Sequence, residues 1–199
     1  MSAGLLVALV YDIILYGALA ATALPIAFFL LWIFFDFWKK YILLFYVTVV
    51  VLFAGTVAAF YFTNHYWIYW YYPFPWWVQI IGLLFMIFSY LIVKLAQTSI
   101  TTLVRFFYPL LKGQPIHLHV RGFYKYVRHP MYAVFPWAIL GAFLYTGQLI
   151  LLPVFLFNLL ARNWYAAKEE SHLKKVVIGD YEKYMKQTPN RFYPTGRHG

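Results

Sequence analysis

The chain has 199 residues, of which 64% are hydrophobic and only 11% are charged. Soluble domains carry about 25% charged residues, and a chain this short cannot bury so much apolar surface in one water-soluble core. The composition therefore indicates an integral membrane protein. The chain has no cysteine, which excludes disulfides, thiolate metal sites and a cysteine nucleophile.

Five apolar segments predict membrane-spanning helices. They are Leu5–Phe35, Tyr41–Phe62, Val78–Val93, Met131–Tyr145 and Leu149–Leu160. The first exceeds the ~20 residues that a crossing helix needs and contains Pro25, so we expect it to tilt or kink. We predict an all-α, polytopic membrane protein with about five transmembrane helices and a cytoplasmic C-terminal helical segment.

The connections between these segments have distinct characters. Residues 36–40 form a short polar turn, and residues 146–148 a tight one that makes the last two helices antiparallel neighbours. Residues 64–77 are rich in Trp and Tyr and lack Lys, Arg, Asp and Glu, which predicts an outer interfacial belt, with an aromatic cage for lipid headgroups as the alternative. Residues 96–111 predict a partly interfacial helix that ends near Gly113, and Gly179 predicts a break in the C-terminal helix.

Asp12 is the one charged residue within the first apolar segment. An intramembrane carboxylate is often functional. The alternative is a position near the outer interface or a hydrogen bond to a neighbouring helix.

All 16 Lys and Arg residues fall on one side of the predicted topology. With five crossings, the N-terminus, residues 64–77 and residues 146–148 share one face, and residues 36–40, 94–130 and 161–199 share the other. Positive charge remains in the cytoplasm, so we predict an outside N-terminus and a cytoplasmic C-terminus. The net charge of +10 then reflects membrane orientation, and no nucleic-acid partner is expected.

Two polar clusters meet at the predicted cytoplasmic face. The first lies in RGFYKYVRHPMY, residues 121–132, and offers Arg128, His129 and Tyr132. Pro130 suits the first turn of the helix that follows. The second cluster lies across the short hairpin, which brings the two together.

The second cluster comprises Arg162, Asn163, Glu169 and Glu170. Positions seven apart share one helix face, which aligns Arg162 with Glu169 and Asn163 with Glu170. Together the two clusters have the chemistry to bind a zwitterionic ligand carrying carboxylate and ammonium groups. Taken singly, each residue is more typical of a solvated or headgroup-facing position at the membrane interface.

Other kinds of site have little support. His117 and His119 at alternate positions are a weak metal signal, since no carboxylate lies close to them in the sequence, and no metal site is expected. The chain contains no phosphate-binding glycine loop and no dinucleotide fingerprint.

The order GFYKYVRHPMY, apolar hairpin, KEESHLKKVVIGDYEKYMKQTPNRFYP resembles the isoprenylcysteine carboxyl methyltransferase and phospholipid methyltransferase superfamily. That pattern is G-x-Y-x-x-x-R-H-P-x-Y, a glutamate pair, a glycine, two spaced tyrosines and a basic-aromatic-proline end. The resemblance covers about the last 80 residues. Ala133 and Val134 depart from it, since many members have a glycine soon after the HPxY motif.

The resemblance implies a membrane enzyme that uses S-adenosylmethionine to methylate a lipophilic or small acceptor, such as a prenyl-cysteine carboxylate, a phospholipid amine or a thiol. Arg162 is similar to an arginine that helps to place the substrate group, and Glu169 or His129 is a candidate proton acceptor. The implied cofactor contacts are Arg128, His129, Tyr132 and Glu170, with Gly122 and Tyr126 shaping the loop.

These expectations divide the chain into residues 1–112, the N-terminal transmembrane helices, and residues 113–199, the methyltransferase-like region. Two other functions remain open. A sterol-type reductase would be stabilised by NADPH and not by S-adenosylmethionine. A non-enzymatic membrane scaffold would keep its cellular role when His129, Glu169 and Glu170 are changed.

Overall fold

The computed structural model describes residues 3–97, 111–112, 116–117, 122–178 and 181–193. The α-helices are α1 Ala3–Ala20, α2 Ala23–Ile33, α3 Phe35–Lys40, α4 Ile42–Phe62, α5 Asn64–Trp67, α6 Trp76–Gln97, α7 Pro130–Thr146, α8 Leu151–Val176 and α9 Tyr181–Gln187. A 3-10 helix covers Gly122–Lys125, and two-residue strands β1 Ile116–His117 and β2 Val177–Ile178 pair in parallel. The predicted all-α class is confirmed.

Three described helical segments are long and apolar enough to cross a membrane: Gly4–Ile33, Ile42–Phe62 and Trp76–Ala96. They match the first three predicted spans. The first combines α1 and α2, which are separated by a turn at residues 21–22. Pro25 lies just beyond that turn and lacks the N–H that would continue the helical hydrogen bonds across it. Asp12 is exposed on α1.

The last two predicted spans are the arms of one hairpin. The first arm, α7, is apolar but only 17 residues long. The second arm is the apolar start of α8, a 26-residue helix that continues without a break into the charged residues after Arg162. Length and composition therefore support three crossings in the described part of the chain, with the shorter apolar helix α7 and the apolar start of α8 beside them.

The hairpin turn is closed by Gly147, whose φ is 72°. Its carbonyl accepts a 2.8 Å hydrogen bond from the amide of Tyr72, and a Cβ at this position would collide with the Tyr72 carbonyl. The side-chain Nε2 of Gln148 donates a hydrogen bond to the Tyr11 hydroxyl over 2.9 Å. These contacts confirm the predicted tight turn, and the bond from Tyr72 joins it to the aromatic segment 64–77.

Helices α6 and α7 cross in close contact at two glycines. A Cβ at Gly82 would lie 2.5 Å from the Gly141 carbonyl oxygen, and one at Gly141 would lie 2.6 Å from the Gly82 oxygen. Small residues permit this approach in membrane helices, where packing supplies most of the attraction. The crossing brings α6 against the helix that begins at the RHP motif.

Three aromatic rings fix the relative position of α2, α7 and α8. Phe28 stacks on Tyr165 with ring centroids 4.5 Å apart, and Tyr132 packs edge-on against both rings. All three side chains are buried. Tyr132 is thereby oriented from α7 toward α8, where the glutamates lie.

Three predictions fall outside the described residues. They are the helix over 96–111, except for its ends, and the breaks at Gly113 and Gly179. His119 also lies outside, whereas His117 lies in β1. In the predicted outer belt, Tyr69, Trp70 and Trp76 are exposed.

Candidate active site

The two predicted polar clusters form one buried group where α7 begins and α8 becomes charged. Arg128 is 9% exposed, His129 6%, Glu169 6% and Glu170 3%. His129 occupies the N-cap position of α7 and Pro130 its first turn, so the RHP motif ends at a helix start as expected. The short hairpin places α8 antiparallel to α7 and brings the glutamate pair beside this start.

Glu170 is the most heavily bonded carboxylate of the group. Its Oε1 accepts a 2.9 Å hydrogen bond from Arg128 Nε and lies 3.1 Å from His129 Nε2. Burial alone would raise the pKa of this carboxyl, but the hydrogen bonds from His129, Arg191 and Arg128 outweigh it and hold the Glu170 pKa well below its usual range. Glu170 is therefore ionised at neutral pH.

Arg191 belongs to the same group, although it was absent from the predicted site. Its Nη2 donates to Glu170 Oε2 over 2.6 Å and its Nε to Oε1 over 3.2 Å. The fork geometry is typical of strong arginine–carboxylate pairs. The one sequence signal for it is its place in the basic-aromatic-proline end of the superfamily pattern.

Glu169 has a different environment from its neighbour. The Tyr132 hydroxyl donates to its Oε2 over 2.6 Å, and His129 Nδ1 lies 3.9 Å from the same oxygen. Burial raises the pKa of Glu169, and the charge of Glu170 adds to the increase; His129 and the bond from Tyr132 oppose it only in part. Two adjacent glutamates thus have pKa values displaced in opposite directions.

Arg162 is a buried cation, 6% exposed, for which the described residues supply no carboxylate partner. Its Nη1 donates to the Tyr193 hydroxyl over 2.7 Å and to the Ala133 carbonyl over 3.3 Å, while its Nε is buried without a hydrogen bond. Its guanidinium also lies over the Phe192 and Tyr193 rings, 4.6 and 5.1 Å from their centroids. Neutral oxygens and π faces leave this charge available to an anionic ligand.

The remaining predicted residues lie apart from the buried group. Asn163 is exposed, so its expected alignment with Glu170 does not bring it into the site: it falls just beyond the edge of the buried face. Gly122 opens the 3-10 helix with a φ of 60°, a conformation that suits glycine. Tyr126 is 47% exposed and its ring faces an apolar cavity instead of the glutamates.

That cavity, of about 560 Å³, adjoins the site on the side of α6. Its lining is almost wholly apolar and comes from α6, from the loop before α7, from α7 and from the C-terminal segment. Ala133, Phe192 and Tyr193, all of which contact Arg162, also line it. The cavity volume is in the range of sites for drug-sized ligands.

A family model described as phospholipid methyltransferase matches residues 77–177. The chain belongs to this family. The match begins in α6, upstream of the predicted boundary at 112/113, and ends at β2. No curated protein and no solved structure matches the chain.

Membership of the phospholipid methyltransferase family confirms the superfamily inferred from the motifs and makes the chain a membrane methyltransferase. The RHP motif, the hairpin and the glutamate pair all lie within the matched residues. The division at 112/113 stays a prediction, and α6, which precedes it, packs directly on α7.

Proposed function

We propose that this membrane methyltransferase uses S-adenosylmethionine to methylate a lipid whose chain occupies the apolar cavity. The observation that carries the proposal is that a buried charged cluster of both signs and a cavity with apolar walls lie side by side, linked by residues that both line the cavity and contact Arg162. A soluble zwitterionic cofactor and a lipophilic acceptor need two such environments side by side.

The charges and hydrogen-bonding groups of the cluster suit the amino-acid end of S-adenosylmethionine. Glu170 and Glu169 offer carboxylate oxygens to an ammonium group, and Arg128 offers a guanidinium to a carboxylate. His129 and Tyr132, whose rings stack with centroids 5.2 Å apart, border the same space. When bound, the cofactor supplies a methyl group attached to a sulfonium, a carbon that a nucleophile attacks in line.

Arg162 is suited to hold the anionic group of the acceptor. The guanidinium is desolvated, so a phosphate or carboxylate would gain a strong charge-assisted interaction there. Its contacts with Tyr193 and Ala133 place it beside the cavity, where an acyl or prenyl chain would be shielded from water. This arrangement would align the lipid headgroup and exclude water, which are the main contributions an enzyme makes to such a displacement.

Glu169 is the candidate proton acceptor. A carboxylate acceptor needs no base, whereas an ammonium acceptor has to lose a proton before its lone pair can attack. A base works best when its pKa approaches the operating pH, and the pKa of Glu169 is raised toward that range. A base therefore favours an amine or a thiol over a carboxylate acceptor, and the apolar cavity favours a phospholipid amine over a small thiol.

The proposal includes the membrane orientation. The charge distribution supports an outside N-terminus and a cytoplasmic C-terminus, which would open the charged cluster to cytoplasmic S-adenosylmethionine. The acceptor would enter laterally between helices.

A reconstitution experiment tests the proposed function. The purified chain in lipid nanodiscs is incubated with methyl-labelled S-adenosylmethionine and, separately, with phosphatidylethanolamine, a prenyl-cysteine or a small thiol. We expect labelled phospholipid, and we expect Glu170→Gln to weaken cofactor binding at least tenfold, equivalent to about 1.4 kcal/mol.

Lys186→Ala is the matched control, because Lys186 is an exposed cation in the same C-terminal region. It should bind and label like the unmodified chain. Absence of label in all three acceptors, together with stabilisation by NADPH alone, would replace this proposal with the reductase.

A further inference from the structure

The C-terminal segment 188–193, named here the strap, lies across the start of α7. Arg128 Nη1 donates to the carbonyl oxygens of Thr188 and Pro189, each over 2.7 Å. The backbone amide of Arg128 donates to the Asn190 carbonyl and that of His129 to the Arg191 carbonyl, over 3.0 and 2.9 Å. The strap is thus bound to the RHP motif by main-chain and side-chain hydrogen bonds.

Successive residues of the strap contact the charged cluster on one side and the apolar cavity on the other. Arg191 binds Glu170 in the charged cluster, whereas Phe192 and Tyr193 line the apolar cavity and contact Arg162. Consecutive Cα atoms lie about 3.8 Å apart across a planar peptide unit, so a backbone movement at Arg191 also displaces Phe192. The strap is the wall that the two halves of the proposed site share.

Arg191 is also the most accessible of the three side chains that bond to Glu170. Its side chain is 33% exposed, whereas those of Arg128 and His129 are 7% and 5% exposed. Arg128 has further bonds to the strap carbonyls, which hold it in place. An incoming cation that reaches Glu170 from solvent would therefore displace Arg191 before either of the others.

We propose that Arg191 is a displaceable positioning residue: the ammonium group of the cofactor takes its place on Glu170, and the released strap opens the acceptor cavity. The inference rests on the proposed function and adds to it the order in which the cofactor and the lipid bind. A positive charge is exchanged for a positive charge, so Glu170 stays ionised and compensated throughout. Phe192 and Tyr193 move with the strap, which exposes Arg162 to the lipid only after the cofactor is bound.

The coupling has to be reciprocal. If cofactor binding opens the cavity, then a lipid in the cavity favours the open strap and tightens cofactor binding by the same factor. Removal of the Arg191 side chain removes the competitor for Glu170, so cofactor binding should also tighten in its absence.

The experiment measures binding and hydrogen exchange with S-adenosylhomocysteine, an unreactive probe that retains the ammonium group. In nanodiscs, we expect Arg191→Ala to bind the probe about tenfold tighter than the unmodified chain and Arg191→Lys, which keeps one charge, to lie between them. The amides of Arg128 and His129 report the strap directly, because they donate to its carbonyls. Exchange in a peptide covering residues 127–133 should rise when the probe binds the unmodified chain, and should already be high in Arg191→Ala.

Lys186→Ala is again the control and should match the unmodified chain in both measurements. Weaker probe binding by Arg191→Ala would overturn the inference and make Arg191 a fixed part of the pocket. Unchanged exchange at residues 127–133 on probe binding would overturn it as well. Failure of the unmodified chain to bind the probe would overturn the proposed function itself, a result that the first titration reveals before any variant is compared.

Discussion

Glu169 and Glu170 are neighbours in the sequence, but their surroundings make them chemically different. Glu170 forms ion pairs with Arg128 and Arg191 and lies within hydrogen-bond distance of His129, so its charged form is stabilised. Glu169 points to the Tyr132 hydroxyl in a buried environment, where its charged form is disfavoured. Pairs of titratable groups with separated pKa values are typical of acid–base sites.

This difference predicts opposite pH dependences for the two carboxylates. The lowered pKa of Glu170 contributes stability that is present above its unfolded pKa of about 4.3 and is lost as the pH falls through the folded value. The raised pKa of Glu169 contributes stability that is present below about 4.3 and is lost as the pH rises through its folded value. Thermal unfolding in detergent should therefore show a loss on strong acidification that Glu170→Gln reduces, and a gain on mild acidification that Glu169→Gln abolishes. If Glu170→Gln abolished the gain and Glu169→Gln reduced the loss, the inferred pKa directions of the two carboxyls would be wrong.

Glu170→Gln should also lower stability at neutral pH by about 3 kcal/mol, because Arg128 and Arg191 lose the charge that compensates them. Glu182→Gln is a suitable comparison, since Glu182 is largely exposed and forms a solvent-accessible ion pair with Lys174. It should change stability by less than about 1 kcal/mol. Similar losses for both variants in the same thermal assay would contradict the expectation that a buried ion-paired glutamate contributes more to stability than an exposed one.

At the scale of elements, the α6–α7 crossing positions the apolar cavity. Phe85 and Phe88 of α6 form one wall and Val134 and Trp137 of α7 another. The separation of these walls depends on the glycine contact, which allows the two backbones to touch. The crossing therefore determines the space available to the acceptor chain as well as the stability of the bundle.

Gly82→Ala should destabilise the protein by about 1–3 kcal/mol, because its Cβ would lie 2.5 Å from the Gly141 carbonyl and force the helices apart. The control is Gly55→Ala in α4, where nothing lies within 4 Å of the added atom. That change should be neutral or slightly stabilising, since alanine favours a helix by roughly 0.5–1 kcal/mol over glycine. Equal thermal midpoints for the two variants would exclude close packing at this crossing.

At the scale of the whole molecule, the connecting segments that the structure describes collect at two ends of the bundle. Tyr71 pairs with Gln148 at one end, and the Phe35 and His172 rings lie 4.7 Å apart at the other. Helix α3, which occupies the place of the predicted polar turn at 36–40, thus shares an end with the charged half of α8, in agreement with the charge pattern. The assignment of these ends to the two sides of the membrane is part of the proposed function.

The absence of native cysteine permits a direct test of this orientation. Single substitutions Tyr69→Cys and Lys186→Cys place a thiol at exposed positions of the two ends. A maleimide that cannot cross membranes should label Tyr69→Cys in intact cells and Lys186→Cys only after permeabilisation. The reverse pattern would show that the topology is opposite to the proposed one and that the charged cluster faces away from the cytoplasm.

The sequence by itself determined the membrane class, the first three spans, the tight turn at Gly147 and the meeting of the RHP motif with the glutamate pair. These features depend on hydropathy, on turn chemistry and on charge placement, all of which are properties of short stretches. Only the tertiary structure decided the contact of Arg191 with Glu170, the exposure of Asn163 and the cavity against α6. Each depends on the path of the backbone between distant segments: Arg191 is 21 positions from Glu170 in the chain, and no local pattern encodes that the strap returns to it.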